Sequence, residues 1–410
     1  MSSYSHRGYE QRTSGYGRRR HKASGFKRRR RGGGAAKVAA IIAASAAVLV
    51  LLYLFADNIM PFVRSIKGAS NDTPDQPVQS DTSEISETVE EPEPTVAQGS
   101  FDKVDGSVFI QNGSAYSPFK GLDTTARNYA AVLNSISSSL ASDVAVYDAV
   151  IPTNEAFGLK GALPGSASQS DNLGVIKSSL SDRVKVVDVY SALEAQKNDY
   201  IYYRTDECMT SKGAYYVYKK IADTAGYGER TVYSLSTLSE KSGTLSPFYG
   251  SFVTRTMGKD QPDGNPELLG SGDIVEYYKL PVHYNCYSVD LKTGNRVETD
   301  LFKESDAISD ILNIFPGKDK ALLTIENLQS STDKKLLIVK DHSAEPVIGY
   351  LIPHYTEVFV ADVSLYSGSL ADYINENEIT DILFINGIDS ANNALYCQRM
   401  RDLFDNSLSD

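Results

Sequence analysis

Nineteen consecutive residues, Val38 to Ala56 (VAAIIAASAAVLVLLYLFA), carry no charge and lie between Lys37 and Asp57. As a helix rising 1.5 Å per residue they reach about 28 Å, close to the hydrocarbon thickness of a bilayer. The run predicts one membrane crossing. A cleaved signal peptide has a shorter apolar core followed by a small-x-small site, and residues 55–61 offer no such site, so a retained anchor is expected.

Charge sets the direction of that crossing. Residues 1–37 hold twelve Lys or Arg against Glu10 alone, whereas the rest of the chain holds 29 bases and 51 acids, a net of −22. Basic flanks stay on the cytoplasmic side, so the cluster from Arg18 to Lys37 keeps the N-terminus inside and sends everything after Asp57 outside. The chain is therefore expected in the cell membrane, single-pass, with an extracellular C-terminal domain. The basic tail suits anionic lipid, and its Gly and Tyr residues between arginines also leave an RNA-binding reading open. A topology signal accounts for the tail, and no specific nucleic acid is expected.

Ala69 to Ser100 contains eight acids, no Lys or Arg, and prolines at 74, 77, 92 and 94. Such a segment buries too little apolar surface to offset its ordering entropy. It reads as a stalk holding the body on the order of 30 Å from the membrane. The predicted organisation is a tail over 1–37, the crossing over 38–56, a membrane-proximal segment and stalk over 57–100, and an extracytoplasmic domain over 101–410. Cys208, Cys286 and Cys397 are too few for a disulfide scaffold and lack zinc-type spacing. No metal or cofactor is expected, and whether Cys286 and Cys397 pair stays open.

Within the body, Asp105 to Gln111 alternates as a strand and Asn112-Gly113 signals a turn. A helix follows, capped by Asp123 or Thr124, with Tyr129, Val132, Leu133, Ile136 and Leu140 on one face. Asp143 to Ile151 and Val184 to Val189 read as buried strands, and Gly213 to Ala225 as a second amphipathic helix. The C-terminal third alternates Leu336 to Lys340, Glu357 to Asp362 and Asp381 to Asn386 with helical stretches, the second near Leu370 to Asn377. Apolar runs separated by helices imply parallel strands covered on both faces. The expectation is an α/β three-layer sandwich with a mostly parallel sheet, residues 235–315 forming an insertion or sheet extension. In such sheets chemistry gathers beyond the C-terminal strand ends, which points at Asp341, His342 and Ser343 and at Asp206 and its neighbours.

Tyr202 to Tyr218 reads YYRTDECMTSKGAYYVY, which resembles the signature of the DHHW protein family, Y-Y-x-T-D-H-H-W-T-S-x-G-A-Y-x-x-Y. VVDVYSAL from Val186, Pro152-Thr153, the FYG at Phe248 and KDHSAEPVIGYLIPHYTEVFVAD from Lys340 are similar to that family in order and spacing. The resemblance implies an SGNH-hydrolase-like fold, related to alginate O-acetylation proteins that use Ser, His and Asp on exported polysaccharide. Carried over by position, Asp206 matches the triad Asp, Cys208 stands where the His belongs, and His342 stands where the Ser nucleophile belongs. Glu207 and Met209 replace the family's other His and its Trp.

Acyl transfer needs a nucleophile, a base within about 3 Å of it and an acid to orient that base. With two of three residues changed, the resemblance implies a site that no longer catalyses. The chain is then a membrane-anchored accessory or glycan-binding component of envelope polysaccharide O-acetylation or assembly. Its implied partners are a membrane-bound O-acyltransferase or a DHHW paralogue with an intact triad, together with the polysaccharide. Three alternatives stay open. Cys208 and His342 have exchanged roles in an active enzyme; Ser343 substitutes for the missing Ser; or the domain is a structural surface anchor. Six tyrosines crowd the motif (Tyr200, Tyr202, Tyr203, Tyr215, Tyr216 and Tyr218), and they read either as core or as a sugar-stacking platform.

Overall fold

The computed structural model describes residues 102–104, 108–227, 241–278, 282–302 and 314–405. The basic tail, the apolar run 38–56 and the segment 57–100 lie outside those residues. Among the described residues no helix is long and apolar enough to cross a membrane. All of them fall in one unit, Glu91–Asp410.

Two strands predicted from apolar runs form close to where the pattern put them: β4 (Ala145–Ile151) and β11 (Lys335–Lys340). So do β12 (Glu357–Asp362) and β13 (Asp381–Gly387). With β5 (Val184–Val186) they make a parallel array in the order β5-β4-β13-β11-β12. The sheet does not stop there. β10 (Leu322–Asn327) runs antiparallel beside β12, β8 (Tyr284–Val289) antiparallel beside β10, and β9 (Arg296–Glu298) antiparallel beside β8. The eight-stranded sheet is thus mixed, which corrects the expectation of a mostly parallel one. Part of the 235–315 region is the sheet extension. Another part, β6 (Lys241–Phe248) with β7 (Asp273–Tyr278), forms a separate antiparallel pair. A third small sheet joins β1 (Asp102–Val104), β2 (Val108–Gln111) and β3 (Ser114–Tyr116), with the predicted turn at Asn112 and Gly113, whose φ angles are +53° and +74°.

Helices of six residues or more are numbered α1 to α7. On one face of the large sheet, α4 (Ser211–Ala225) and α5 (Glu345–Leu351) cover Tyr147, Ile151, Leu336, Ile338, Val358 and Leu383. On the other, α1 (Asp123–Ser139), α2 (Gln169–Ser179), α6 (Leu370–Glu376) and α7 (Ala394–Asp402) cover Val146, Val150, Leu337, Val339 and Phe384. The period-2 alternation of each strand divides its side chains between these two cores, giving three layers. Each fully buried side chain of this size contributes about 1.5–3 kcal/mol by leaving water.

Local differences from the sequence reading have local causes. β5 ends at Val186 because Asp188 turns its carboxylate to Ser191 N–H (3.1 Å) and caps α3 (Val189–Glu194). α1 is capped by neither Asp123 nor Thr124: Leu122 occupies the cap, and Thr125 Oγ1 accepts from its N–H at 3.1 Å. Cys286 lies in one core and Cys397 in the other, so the sheet separates them and all three cysteines are free thiols.

Candidate functional site

The chain leaves β11 through α5 to β12 on one side, then returns through α6 to β13 on the other side of β11. Strand order therefore reverses at β11, and the loops after β11 and β13 diverge to opposite faces and leave a crevice between them. A cleft of ≈ 120 Å³ occupies that place. It is lined by strand ends (Ile151 to Thr153 after β4, Asp341 to Ser343 after β11, Gly387 to Ser390 after β13) and by Tyr202 and Glu207 to Met209.

Asp341 ties two of these ends together. Its Oδ1 accepts Ser343 N–H at 2.8 Å and its Oδ2 accepts Gly387 N–H at 2.9 Å. A Cβ on Gly387 would stand 2.6 Å from Ser343 Oγ and 3.2 Å from Asp341 Oδ2, so a side chain there would have to displace the Ser343 hydroxyl.

The motif segment is held in the same way. Asp206 accepts Cys208 N–H through Oδ1 (3.0 Å) and Ser251 N–H through Oδ2 (2.7 Å). Gly250 packs directly on it, since a Cβ there would lie 2.4 Å from Asp206 Cβ and 2.5 Å from Thr205 O. The preceding residues hang on Asp273, fully buried on β7. It accepts Arg204 N–H (2.9 Å), Thr205 N–H (2.8 Å), Thr205 O–H (2.5 Å) and the Tyr200 hydroxyl. Thr210 caps α4 by accepting Gly213 N–H (3.2 Å), and a Cβ on Gly213 would meet Ile201 O at 2.3 Å. Thr205, Asp206, Thr210 and Gly213 of the signature are thus residues that make the loop.

Cys208 and His342 line this one cleft, with Asp206 buried behind Cys208. Their surroundings differ. Cys208 is buried, and that burial, together with Asp206, Glu207 and Glu345, pushes its thiol well above its ordinary value. His342 is exposed on a short 3-10 turn, and Ser343 beside it is half-buried. Glu207 is exposed and pairs with Arg255 at 3.7 Å. Asp389, also in the cleft and exposed as a residue, has its carboxyl pushed up to about 6, first by partial desolvation and then by Glu207, Glu155 and Asp341, with His342 acting against them.

Behind the His342 turn lies a buried ion cluster. Lys340 Nζ donates to Glu345 Oε1 (2.9 Å) and Asp362 Oδ2 (2.8 Å), with Lys340 wholly enclosed. Burial opposes its charge, yet Glu345 and Asp362 outweigh burial and raise it above its ordinary value. Glu345 Oε2 has no partner among the described residues.

A thiolate is the attacking form of cysteine, and a neighbouring cation normally stabilises it. Cys208 has carboxylates instead, which keeps the proton on sulfur and disfavours the exchanged Cys-His arrangement. Thr153, Glu207, Ser343, Asp389 and Ser390 place hydroxyls and carboxyls among the apolar residues of the cleft lining. No three His, Cys, Asp or Glu residues among those described are grouped to hold a metal.

The other sequence candidates are placed as follows. His354 is core, sharing a 2.8 Å hydrogen bond between its Nε2 and Tyr218 OH and stacking on Tyr227, and burial lowers it to about 4. His283 is exposed, outside the cleft lining. Tyr202, Tyr203, Tyr215 and Tyr218 are buried and Tyr200 and Tyr216 half-buried, so the six rings are mostly packing rather than a sugar platform. Sequence reasoning missed Asp389, Asp273 and Glu345. Lys340 at the end of an apolar strand, five residues before Glu345, was the one available signal: a lysine buried there needs acidic partners.

The DHHW protein family profile matches residues 64–361. A DHHW family protein from Eubacterium siraeum is 27% identical, the match covering 74% of this chain and 97% of that one, with a TM-score of 0.63. PatB1 of Bacillus cereus, solved with a sulfonyl adduct, is 16% identical with a TM-score of 0.56, covering 70% of this chain and 96% of its own, and shares the fold. No curated protein matches the chain. A family profile that spans most of the chain, a similar solved DHHW structure and a signature whose Thr, Asp and Gly residues build the observed loop agree, and the chain belongs to the DHHW protein family.

Proposed function

We propose that this protein is a membrane-anchored, extracytoplasmic DHHW domain that serves envelope polysaccharide O-acetylation or assembly by binding glycan, without transferring acetyl groups itself. The carrying observation is the contrast between frame and chemistry in one cleft. Asp206 and Asp341 each have both oxygens engaged, which supports an intact scaffold. The positions that hold base and nucleophile in the family are instead a buried, protonated thiol at Cys208 and an imidazole at His342. Neither the Cys208 sulfur nor the His342 imidazole is a hydroxyl nucleophile. The remaining carboxyls and hydroxyls accept and donate hydrogen bonds to sugar hydroxyls.

The basic flank and the apolar run 38–56 support an N-terminus inside and the domain outside, on a stalk that reaches the polymer. A membrane-bound O-acyltransferase or an intact DHHW paralogue is the proposed partner, and the basic tail rests on anionic lipid. Acetyl content of the envelope polysaccharide tests the reading in three strains: parent, deletion, and the double variant Cys208→Ala/His342→Ala. The accessory role predicts reduced acetylation on deletion and parental acetylation in the double variant. Equal loss in both assigns the chemistry to the pair, and no loss on deletion removes the O-acetylation context.

A further inference from the structure

A second groove, of ≈ 220 Å³, shares Tyr202 with the cleft. It lies between β3, residues 154–158 after β4, and the stretch Lys197 to Arg204 that leads into the motif.

Three charged side chains line it, and they are unequal. Asp199 is already matched: it accepts from Lys212 Nζ at 2.8 Å and from Tyr216 OH at 2.7 Å, and these bonds hold its carboxyl below the ordinary value. Lys197 is exposed, and its side chain has no ion pair or hydrogen bond among the described residues. Arg204 is half-buried and meets no carboxylate within ion-pair distance among those residues. Its guanidinium lies 5.1 Å over the Tyr200 ring and donates one bond of 3.3 Å to Ser271 O, which fixes its place and leaves donors free. Two cations without acid partners thus line one groove of a chain whose residues 38–410 carry a net of −22. The loop does not require an arginine there. Its backbone N–H serves Asp273, and the family signature leaves the position between Y-Y and T-D open.

The rest of the lining is largely aromatic. Half-buried Phe157 packs against Tyr190 (5.2 Å) and Tyr202 (6.2 Å), and half-buried Tyr200 against Tyr203 (6.1 Å). The hydroxyls of Tyr116, Tyr200 and Tyr202 are engaged by Gly158 O, Asp273 and Pro152 O, so these rings give the groove carbon surface. A guanidinium suits a carboxylate or a phosphate, since its planar donors match two oxygens at once. Ring carbon beside it suits the C–H faces of a sugar.

We propose that this groove binds an acidic saccharide, its carboxylate or phosphate on Arg204 and Lys197 and its ring carbons against Phe157 and Tyr200. The inference rests on the glycan-binding reading above and gives it a substrate class.

Titration calorimetry on the purified full chain tests it with four probes: tetragalacturonate, glucose 1-phosphate, neutral cellotetraose and tetraglutamate. Saturable binding of at least one of the two acidic sugars is expected, and which one binds identifies the anion. Cellotetraose and tetraglutamate are expected to bind at least about tenfold more weakly, because one lacks the charge and the other the sugar ring. Arg204→Gln should weaken the acidic sugar about tenfold and Lys197→Gln about threefold. Lys197 is exposed and unpaired, so its variant keeps the test alive if Arg204→Gln does not fold. Equal binding of cellotetraose or tetraglutamate, unchanged affinity in either folded variant, or no binding of either acidic sugar would each overturn the proposal. Such a result together with reduced acetylation on deletion removes the acidic-sugar class alone, whereas no loss on deletion removes the accessory reading itself.

Discussion

Asp206 and Asp341 do the same job at two places. Each accepts the N–H two residues ahead and a second N–H from a distant element, and so each fixes a loop that lines the cleft. The residues they present, Cys208 and His342, depart from the signature that the sequence resembles, as do Glu207 and Met209. Both positions were legible in the sequence, Cys208 from the T-D-x-x-x-T-S-x-G frame around it and His342 from the segment that starts at Lys340. Their environments were not, since the burial that chiefly raises the Cys208 thiol, and the Glu345 carboxyl that adds to the effect of Asp206 and Glu207, are brought by residues far along the chain. His354 gives a pH test. Its folded value of about 4 lies below the ordinary 6.5, so the unfolded chain takes up a proton first as the pH falls. Stability is therefore lost between about pH 6.5 and pH 4, by up to about 3 kcal/mol for this group, and no further below. Asp148 and Asp389, with raised values, act in the opposite sense as the pH rises toward 7 and 6 respectively. Urea unfolding at pH 7 and pH 4.5 should show His354→Gln losing less stability on acidification than the parent. An identical loss would contradict the assignment.

Strands and helices were legible where their period was strong. Apolar runs located β4, β11, β12 and β13, and the helical spacing of Tyr215, Tyr218 and Ile221 located α4. β10 was missed, and with it the mixed character of the sheet. Its residues LLTIEN are apolar enough for a buried strand, but direction is set by which neighbour supplies the ladder, and no pattern along the chain encodes that. The short helix Ser251–Arg255 also went unread, although it delivers Ser251 N–H to Asp206. Gly250 at its cap makes that delivery possible. Gly250→Ala places a methyl 2.4–2.6 Å from Asp206 and Thr205, and overpacking of this kind costs about 1–3 kcal/mol. Chemical denaturation should show that loss. Unchanged stability would mean that the two loops are not in register as described.

For the chain as a whole, the apolar run and the basic flank predict a body accessible from outside. Protease added to intact protoplasts should remove the body and leave a small membrane-bound fragment, whereas protection of the body while the membrane stays sealed would refute the topology. Membership of the DHHW family leaves one question that matters most for what the body does: whether a cleft with its frame preserved, a protonated Cys208 and an imidazole at 342 turns over an ester at all. Removing a triad member from this kind of chemistry leaves only the residual catalysis of binding and oxyanion stabilisation. Hydrolysis of an aryl acetate by the purified full chain measures this directly. The account predicts turnover at the level of the Cys208→Ala/His342→Ala double variant and the buffer. Turnover above that level, lost in Cys208→Ala and again in His342→Ala, would contradict it and assign the cleft an active Cys-His pair.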